Sequence, residues 1–286
     1  MRIDSHQHFW NYDLIKDSWI GDGMEVIMND FSPQDVLPMM QRNNFDGCVV
    51  VQADQSEQET FYLLDLADKN PFIKGLVGWV DFRADNIAER LDYFSQFSKL
   101  KGFRHIVQAE AENDFLLRPD FCRGISLLKK YNFTYDILIY PKHLPVALEF
   151  VKRFPGQTFI LDHLAKPYIK DQLIDQWKQD MLPFKQFENV SCKMAGLVTE
   201  ADWKHWKMDD FQRYVDVVFD IFGPDRLLFG SDWPVCTLAA SFDQVVEVLE
   251  HSTSFLDPQA RKRLWGENCS RIYNLKKDRE IENYCA

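Results

Sequence analysis

Short apolar runs rich in β-branched residues alternate along this chain with longer amphipathic segments. Apolar runs this short predict buried strands, whereas apolar positions at helical spacing predict helices. Eight strands are predicted, at residues 2–6, 47–52, 75–80, 102–107, 134–139, 158–162, 189–193 and 226–229. A helical pattern follows each strand, at residues 33–43, 58–69, 87–97, 119–131, 144–153, 172–187, 209–222 and 242–250.

Local signals fix some of these helix boundaries. Ser32 precedes Pro33, and Asp257 precedes Pro258, so each pair predicts an N-cap followed by a proline in the first turn. The second pair predicts one more helix after the eighth unit. Pro38 lies inside the first helical pattern and is expected to delay or kink that helix, because proline lacks a backbone N–H.

Eight strands, each followed by a helix, predict an α/β protein with a (β/α)8 TIM-type barrel and an extra C-terminal helix. No glycine-rich dinucleotide fingerprint follows the first strand, which disfavours an open doubly wound sheet. The chain has 286 residues, which suits one barrel domain. We expect the barrel to occupy residues 1–275 and a charged tail to occupy 276–286.

Composition narrows the classes of partner. The chain has 33 Lys and Arg against 44 Asp and Glu, a net charge of −11, which disfavours nucleic acid and anionic membranes. Its six cysteines are scattered without a CxxC pair, and we expect reduced thiols. No signal-peptide core or membrane-length apolar run is present, so a cytoplasmic protein is expected. No pattern indicates the oligomeric state.

Closure of a barrel brings the carboxyl ends of all its strands to one mouth, so polar residues there are the candidates for chemistry. His6 and His8 lie two apart on a strand and therefore share a face, a geometry suited to metal binding or acid–base work. The polar or aromatic residues at predicted strand ends are His6, His8, Gln52, Asp54, Asp81, Arg104, His105, Gln108, Tyr140, Asp162, His163, Lys193, Asp232 and Trp233.

Each candidate also has an ordinary structural explanation. His6 and His8 are as readily two plain strand residues, and His163 alone is best explained as a core histidine. Asp232 precedes Trp-Pro and suits a turn. Lys193 is expected to reach solvent along its apolar stem. Only the combination of these residues at one mouth favours an active site.

Five segments carry a family resemblance: IDSHQHFW at 3–10, GFRH at 102–105, LDHLAKP at 161–167, FGSDWPV at 229–235 and WGENCSRIY at 265–273. In these five segments the chain resembles amidohydrolase-2 type members of the amidohydrolase superfamily. Within it, the chain is similar to the sugar-lactone and muconolactone hydrolase branch, typified by L-fuconolactonase, L-rhamnonolactonase and sulfomuconolactone hydrolase. The resemblance runs from residue 1 to about residue 275.

The resemblance implies a barrel whose active site contains His6, His8, His163 and Asp232. Many superfamily members also have a metal-binding histidine after strand five and a carboxylated lysine on strand four. Here strand five ends in Ile-Tyr-Pro and strand four in Arg-His, so a binuclear centre is not expected. The resemblance leaves two alternatives open: one Zn²⁺ or other divalent metal on His6, His8 and Asp232, or activity without a metal.

The resemblance further implies a hydrolase of carbohydrate catabolism that opens a small-molecule lactone, a sugar 1,4- or 1,5-lactone, to its hydroxy acid. Asp232 is the expected general base, with His163, Arg104 and His105 as the other catalytic candidates. The substrate-binding candidates are Gln52, Gln108, Glu110 and Trp233. Residues 199–206 are expected to form a polar-aromatic loop or lid.

Two other functions remain open at this point. A related branch of the superfamily decarboxylates aromatic acids without oxidation, and it shares the HxH pair and the late aspartate. A catalytically dead barrel that only binds ligands is the other alternative. The sequence also leaves the identity and ring size of the lactone open.

Overall fold

The computed structural model describes residues 1–275 and confirms all eight predicted strands, with ends within two residues of those expected. The strands are β1 (Ile3–Gln7), β2 (Gly47–Val51), β3 (Ile73–Gly78), β4 (Leu100–His105), β5 (Thr134–Ile137), β6 (Phe159–Leu161), β7 (Val190–Met194) and β8 (Leu227–Phe229). They form one parallel sheet in the order β1 to β8. The predicted tail, 276–286, lies outside the described residues.

The predicted helices are also present. Their bounds are α1 (Pro33–Arg42), α2 (Glu57–Lys69), α3 (Ile87–Phe94), α4 (Pro119–Ile125), α5 (Leu144–Arg153), α6 (Asp175–Met181), α7 (Asp209–Phe222), α8 (Phe242–Ser252), α9 (Pro258–Lys262) and α10 (Asn268–Ile272). The sequence predicts one long helix at 172–187, but α6 ends at Met181 and a 3₁₀ segment, Leu182–Gln186, follows. Pro183 lies at this change and has no N–H to continue the α-helical ladder.

The helix caps behave as predicted. The backbone N–H of Ser32 donates to Asp35 Oδ2 at 2.7 Å, so α1 begins at Pro33 and continues through Pro38 to Arg42. The expectation that Pro38 delays this helix is therefore wrong, because the cap sets its start. Asp257 Oδ1 accepts two backbone N–H groups at 2.8 Å and starts α9.

The barrel closes where β1 meets the segment after β8. His8 N donates to Trp233 O at 2.7 Å, and Asp232 N donates to His6 O at 2.9 Å. Ser5 Oγ donates to Phe229 O at 2.6 Å along the same seam. This closure confirms the (β/α)8 TIM-type barrel and places His6, His8 and Asp232 side by side.

The core has two parts. A large apolar cluster packs the strands against the surrounding helices. A smaller cluster joins residues of β1, β2, β3, β6 and β8 to Cys269 of α10 and to Tyr273, which follows α10. The predicted extra C-terminal helix is thus present as α9 and α10. Within residues 1–275, all five cysteines are unpaired, and no helix combines the length and apolarity needed to cross a membrane.

Candidate active site

A cavity of about 510 Å³ opens at the carboxyl ends of the strands. Of the ten residues that the sequence assigns to catalysis, substrate binding or metal binding, five line it: His8, Arg104, Gln108, His163 and Asp232. His6 lies buried directly beneath, in contact with this group. The structure therefore brings together the four residues that the family resemblance implied, together with Arg104.

His6, His8 and Asp232 form a compact triangle. The two Nε2 atoms lie 3.1 Å apart, and Asp232 Oδ1 lies 3.8 Å from His6 Nε2 and 3.5 Å from His8 Nε2. His8 Nδ1 is 2.7 Å from the carbonyl of Val51, which can only accept, so Nδ1 carries the proton. In the neutral ring, the Nε2 lone pair of His8 then faces the triangle.

This triangle has the dimensions of a tetrahedral metal site. Ligands about 2.0–2.2 Å from a metal lie about 3.3–3.6 Å apart in a tetrahedron, close to the three measured distances. A second grouping, His6 with Asp162 and His163, is also close enough. However, Asp162 is already engaged by Arg104 and Lys193.

The Asp232 carboxylate is held ionised. Burial alone would raise its pKa, but His163, His6 and His8 together bring the pKa well below its ordinary value. The residue has a left-handed backbone, with φ 58°, which lies outside the region that most side chains prefer. Bonds to β1 hold this conformation, so the carboxylate is fixed at the edge of the cavity.

His163 reaches the cavity from an unusual turn. Four consecutive residues after β6, from His163 to Lys166, have φ between 53° and 56°. Each left-handed non-glycine residue costs roughly 1–2 kcal/mol, so surrounding packing must hold the turn. Burial lowers the pKa of His163 to about 4, against the attraction of Asp232 and Asp162, and its buried Nδ1 has no hydrogen-bond partner. The ring is thus neutral and polar.

Lys193 does not reach solvent, so that expectation is wrong. Its Nζ is fully buried, 2.6 Å from Asp136 Oδ2 and 3.0 Å from Asp162 Oδ1, and 3.1 Å from His6 Nδ1. Burial would lower the pKa of Lys193, but the two aspartates raise it above its ordinary value. Two carboxylates therefore compensate for the cost of burying this ammonium group directly beneath the site.

Arg104 is anchored at both sides of its guanidinium. Nη1 donates to Asp162 Oδ2 at 3.0 Å, and Nη2 donates to the side chain of Gln52 at 2.9 Å and to its carbonyl. Nη1 also lies 3.4 Å from His6 Nε2. A fixed positive group therefore faces the triangle from strand four.

The other four predicted site residues do not line the cavity. Gln52 lies below and holds Arg104. His105 Nε2 contacts Glu110 Oε1 at 2.6 Å, and its ring stacks on Phe115. The ring of Trp233 packs against Phe9 and Phe31. These four side chains lie outside the cavity lining, and Gln52 and Glu110 instead contact Arg104 and His105.

Several lining residues were not predicted as site residues. Lys166 and Glu200 form an ion pair with an Nζ–Oε1 distance of 3.2 Å at the cavity, and Trp203 lies beside them. Lys166 belongs to the 161–167 segment, and the other two belong to the predicted loop 199–206. Both segments were singled out in the sequence, but only the fold shows that they face each other.

Comparisons with known proteins agree with this geometry. The family model described as "Amidohydrolase" matches residues 3–275. The chain is 39% identical to an L-fucono-1,5-lactonase of Burkholderia multivorans and 34% identical to one of Burkholderia ambifaria, each alignment covering 96% of both chains. A zinc-bound crystal structure of an amidohydrolase from Burkholderia multivorans superposes with a TM-score of 0.93 at 39% identity, over 96% of this chain and all of that chain.

Proposed function

The chain belongs to the amidohydrolase family, and we propose that it is a lactonase that hydrolyses a sugar lactone, with L-fucono-1,5-lactone as the first candidate. The observation that carries the proposal is full-length similarity to two L-fucono-1,5-lactonases. The product would be an open-chain sugar acid, which suits carbohydrate catabolism.

Asp232 is proposed as the general base. Hydrolysis requires a water oxygen to attack the lactone carbonyl carbon while the water loses a proton. The Asp232 carboxylate lines the cavity and is ionised at neutral pH, because its pKa is held low. It can therefore accept that proton directly.

The charge that develops on the carbonyl oxygen needs stabilisation. Arg104 provides a fixed cation at the cavity, and the neutral imidazole of His163 can provide an N–H donor. His6, His8 and Asp232 would hold one divalent metal, of which zinc is the first candidate. When bound, such an ion supplies Lewis-acid polarisation of an ester carbonyl.

The ring opens when the bond between the carbonyl carbon and the ring oxygen breaks, and the leaving alkoxide must then gain a proton. His163 is proposed to deliver it, since the imidazole lies beside Asp232 and can pass on the proton taken from water. Gln108 is proposed to bind a substrate hydroxyl, because its buried Oε1 has no partner and the side chain lines the cavity.

The test is a substrate panel run on the wild-type protein and on Asp232→Asn. Sugar 1,4- and 1,5-lactones are monitored by acid release, and aromatic acids are monitored by CO2 release. We expect lactone opening in the wild type and a loss of at least about 1,000-fold in kcat for Asp232→Asn, whose shape is nearly unchanged.

Asp202→Asn is the matched control, because Asp202 is an exposed carboxylate that interacts with His205 at the surface. It should retain full activity. CO2 release from aromatic acids without lactone opening would replace the proposal with a decarboxylase. Full turnover by Asp232→Asn would remove the assignment of the base.

A further inference from the structure

The Lys166–Glu200 ion pair faces the cavity but has no part in the proposed chemistry. The two side chains are 19% and 20% exposed, and both line the cavity with His163 and Asp232. Burial would lower the pKa of Lys166, but Glu200 and Asp232 raise it. Burial raises the pKa of Glu200, and Lys166 opposes that shift. The pair presents a charged donor and a charged acceptor side by side.

The backbone holds this pair in place from two loops. Lys166 ends the left-handed turn after β6, and its N–H donates to His163 O at 2.7 Å. Glu200 ends a turn that begins at Gly196, with Glu200 N donating to Gly196 O at 3.2 Å. Lys170 N donates to Glu200 O at 2.9 Å and joins the two loops. Such fixed groups lose little conformational freedom when they bind a ligand.

The charges that line the cavity are nearly balanced. Arg104 is paired with Asp162, and Lys166 is paired with Glu200. Asp232 adds a carboxylate to this lining. Among the lining residues that the structure describes, no lysine or arginine is therefore left for a substrate carboxylate. Apart from any metal at the triangle, a substrate carboxylate would therefore find no unpaired cation here, and burying an unpaired negative charge is costly.

A neutral polyhydroxylated ring suits the pair better. A hydroxyl can accept from the Lys166 ammonium, and its neighbour can donate to the Glu200 carboxylate. We propose that Lys166 and Glu200 act as a specificity pair that binds adjacent hydroxyls of a neutral lactone and disfavours lactones that carry a carboxylate. This inference rests on the proposed function, because it assumes that a lactone occupies the cavity.

The test compares Glu200→Gln with Asp202→Asn, which removes the same charge from the exposed side of the same loop. The substrates are the sugar lactone opened by the wild type and δ-valerolactone, a ring without hydroxyls. We expect Glu200→Gln to raise KM for the sugar lactone about 10- to 100-fold, as for a lost charged hydrogen bond, with kcat within about twofold. Turnover of δ-valerolactone should not change, and neither should any constant of Asp202→Asn.

A second measurement uses the charge that Glu200→Gln leaves unpaired. The free Lys166 ammonium should now attract a carboxylate, so competitive inhibition by muconolactone should strengthen about 10-fold. The double variant Glu200→Gln with Lys166→Met should lose that gain. The control double variant, Glu200→Gln with Lys170→Met, should keep it, because Lys170 is exposed. Equal KM and equal inhibition in wild type and Glu200→Gln would overturn the proposal.

A failure of the lactonase assignment can be distinguished from a failure of the specificity pair. A wild-type protein that opens no lactone contradicts the lactonase assignment, and affinity for the intact sugar lactone is then measured by calorimetry. Weaker binding by Glu200→Gln, with Asp202→Asn unchanged, would still support the pair. Unchanged binding, or none by the wild type, would overturn it.

Discussion

Gly196 and His163 show how a residue without a side chain shapes the site. A Cβ on Gly196 would lie 2.8 Å from His163 Nδ1 and 3.0 Å from its Cγ, closer than packed atoms allow. The backbone of Gly196 is also left-handed, with φ 69°. Glycine is therefore required here twice, once for its backbone and once because the imidazole packs directly against it.

Gly196→Ala is predicted to displace His163. We expect kcat for lactone opening to fall about 10- to 100-fold, because a shift of about 1 Å in a catalytic group has effects of this order. Stability should fall by about 1–2 kcal/mol from the left-handed backbone. Steady-state kinetics and chemical denaturation measure the two effects.

Gly223→Ala is the control that separates the loss of activity from the loss of stability. Gly223 has φ 60° at the end of α7, and a Cβ there would meet no atom within 4 Å. Its φ of 60° with ψ of 179° is a conformation that essentially only glycine adopts, so this variant should lose about 1–3 kcal/mol of stability and keep full activity. If both variants keep full activity, the position of His163 does not depend on Gly196.

The surroundings of Lys193 could not be predicted from the sequence. Its position at a strand end was predicted correctly, but its partners Asp136 and Asp162 come from β5 and the end of β6. Sequence spacing shows which face of a strand a residue occupies, but not which charges from other strands meet it. The four central residues, His6, His8, His163 and Asp232, were found because each belongs to a recognisable motif.

Among the elements, the seam between β1 and the segment after β8 depends on Asp4. Its Oδ1 accepts the N–H of Ser231 at 2.9 Å and of His6 at 3.1 Å, and its Oδ2 accepts Gln7 Nε2 at 2.8 Å. Burial raises the pKa of Asp4 to about 6, although these hydrogen bonds lower it. A carboxyl group with no exposed surface thus joins the first strand to the end of the last.

Asp4→Asn is predicted to stabilise the fold at neutral pH. The pKa of the Asp4 carboxyl is raised from 3.8 to about 6 in the folded state. Protonated Asp4 therefore stabilises the fold fully below about pH 4, and this contribution to the free energy of unfolding is lost as the pH rises through 6. The difference is on the order of 3 kcal/mol at roughly 1.4 kcal/mol per unit. An asparagine stays neutral, and Gln7 can turn its unpartnered Oε1 to the new amide.

The measurement is the free energy of unfolding from pH 4 to pH 8. The advantage of Asp4→Asn over the wild type should grow between pH 4 and 6 and then stay constant. Asp4→Ala should be less stable than both, because it leaves three donors without an acceptor, at about 1–3 kcal/mol each. A constant difference between Asp4→Asn and the wild type across this range would contradict the assignment.

The elements themselves were largely predictable, and the exceptions have local causes. Strand positions follow from apolar runs, and α1 and α9 start at their N-caps. The left-handed turn from His163 to Lys166 was not predictable, because no glycine marks it and only tertiary contacts hold it. That turn places Lys166 at the cavity beside His163, so one of the lining residues that sequence reasoning missed follows from it.

Across the whole molecule, the charge distribution bears on product release. The chain carries a net charge of −11, and Asp232 places a carboxylate at the cavity. A neutral lactone is not repelled by this field, but ring opening converts it to an anion. Repulsion between that carboxylate and the acidic molecule favours its departure.

A metal at the triangle would also stabilise the whole barrel. His6 and His8 belong to β1, whereas Asp232 follows β8, so one ion would join the two ends of the sheet at its seam. The unfolded chain does not hold these three ligands together, so binding favours the folded state. At a free metal concentration of 100 times Kd, the gain is about 2.7 kcal/mol.

We therefore predict that zinc added to chelated protein raises the unfolding temperature by about 5 °C or more, at roughly 2–4 °C per kcal/mol for a chain of this size. His8→Asn should lose this shift, because it removes one ligand of three. His205→Asn should keep it, since His205 is exposed and lies in the loop after β7, away from the triangle. Differential scanning calorimetry with zinc and with manganese measures the shifts.

The contrary result is a wild type that shows no shift with either ion while the chelated protein opens lactones at full rate. The triangle then does not require a metal, and His6 and His8 serve as hydrogen-bonding groups for Asp232.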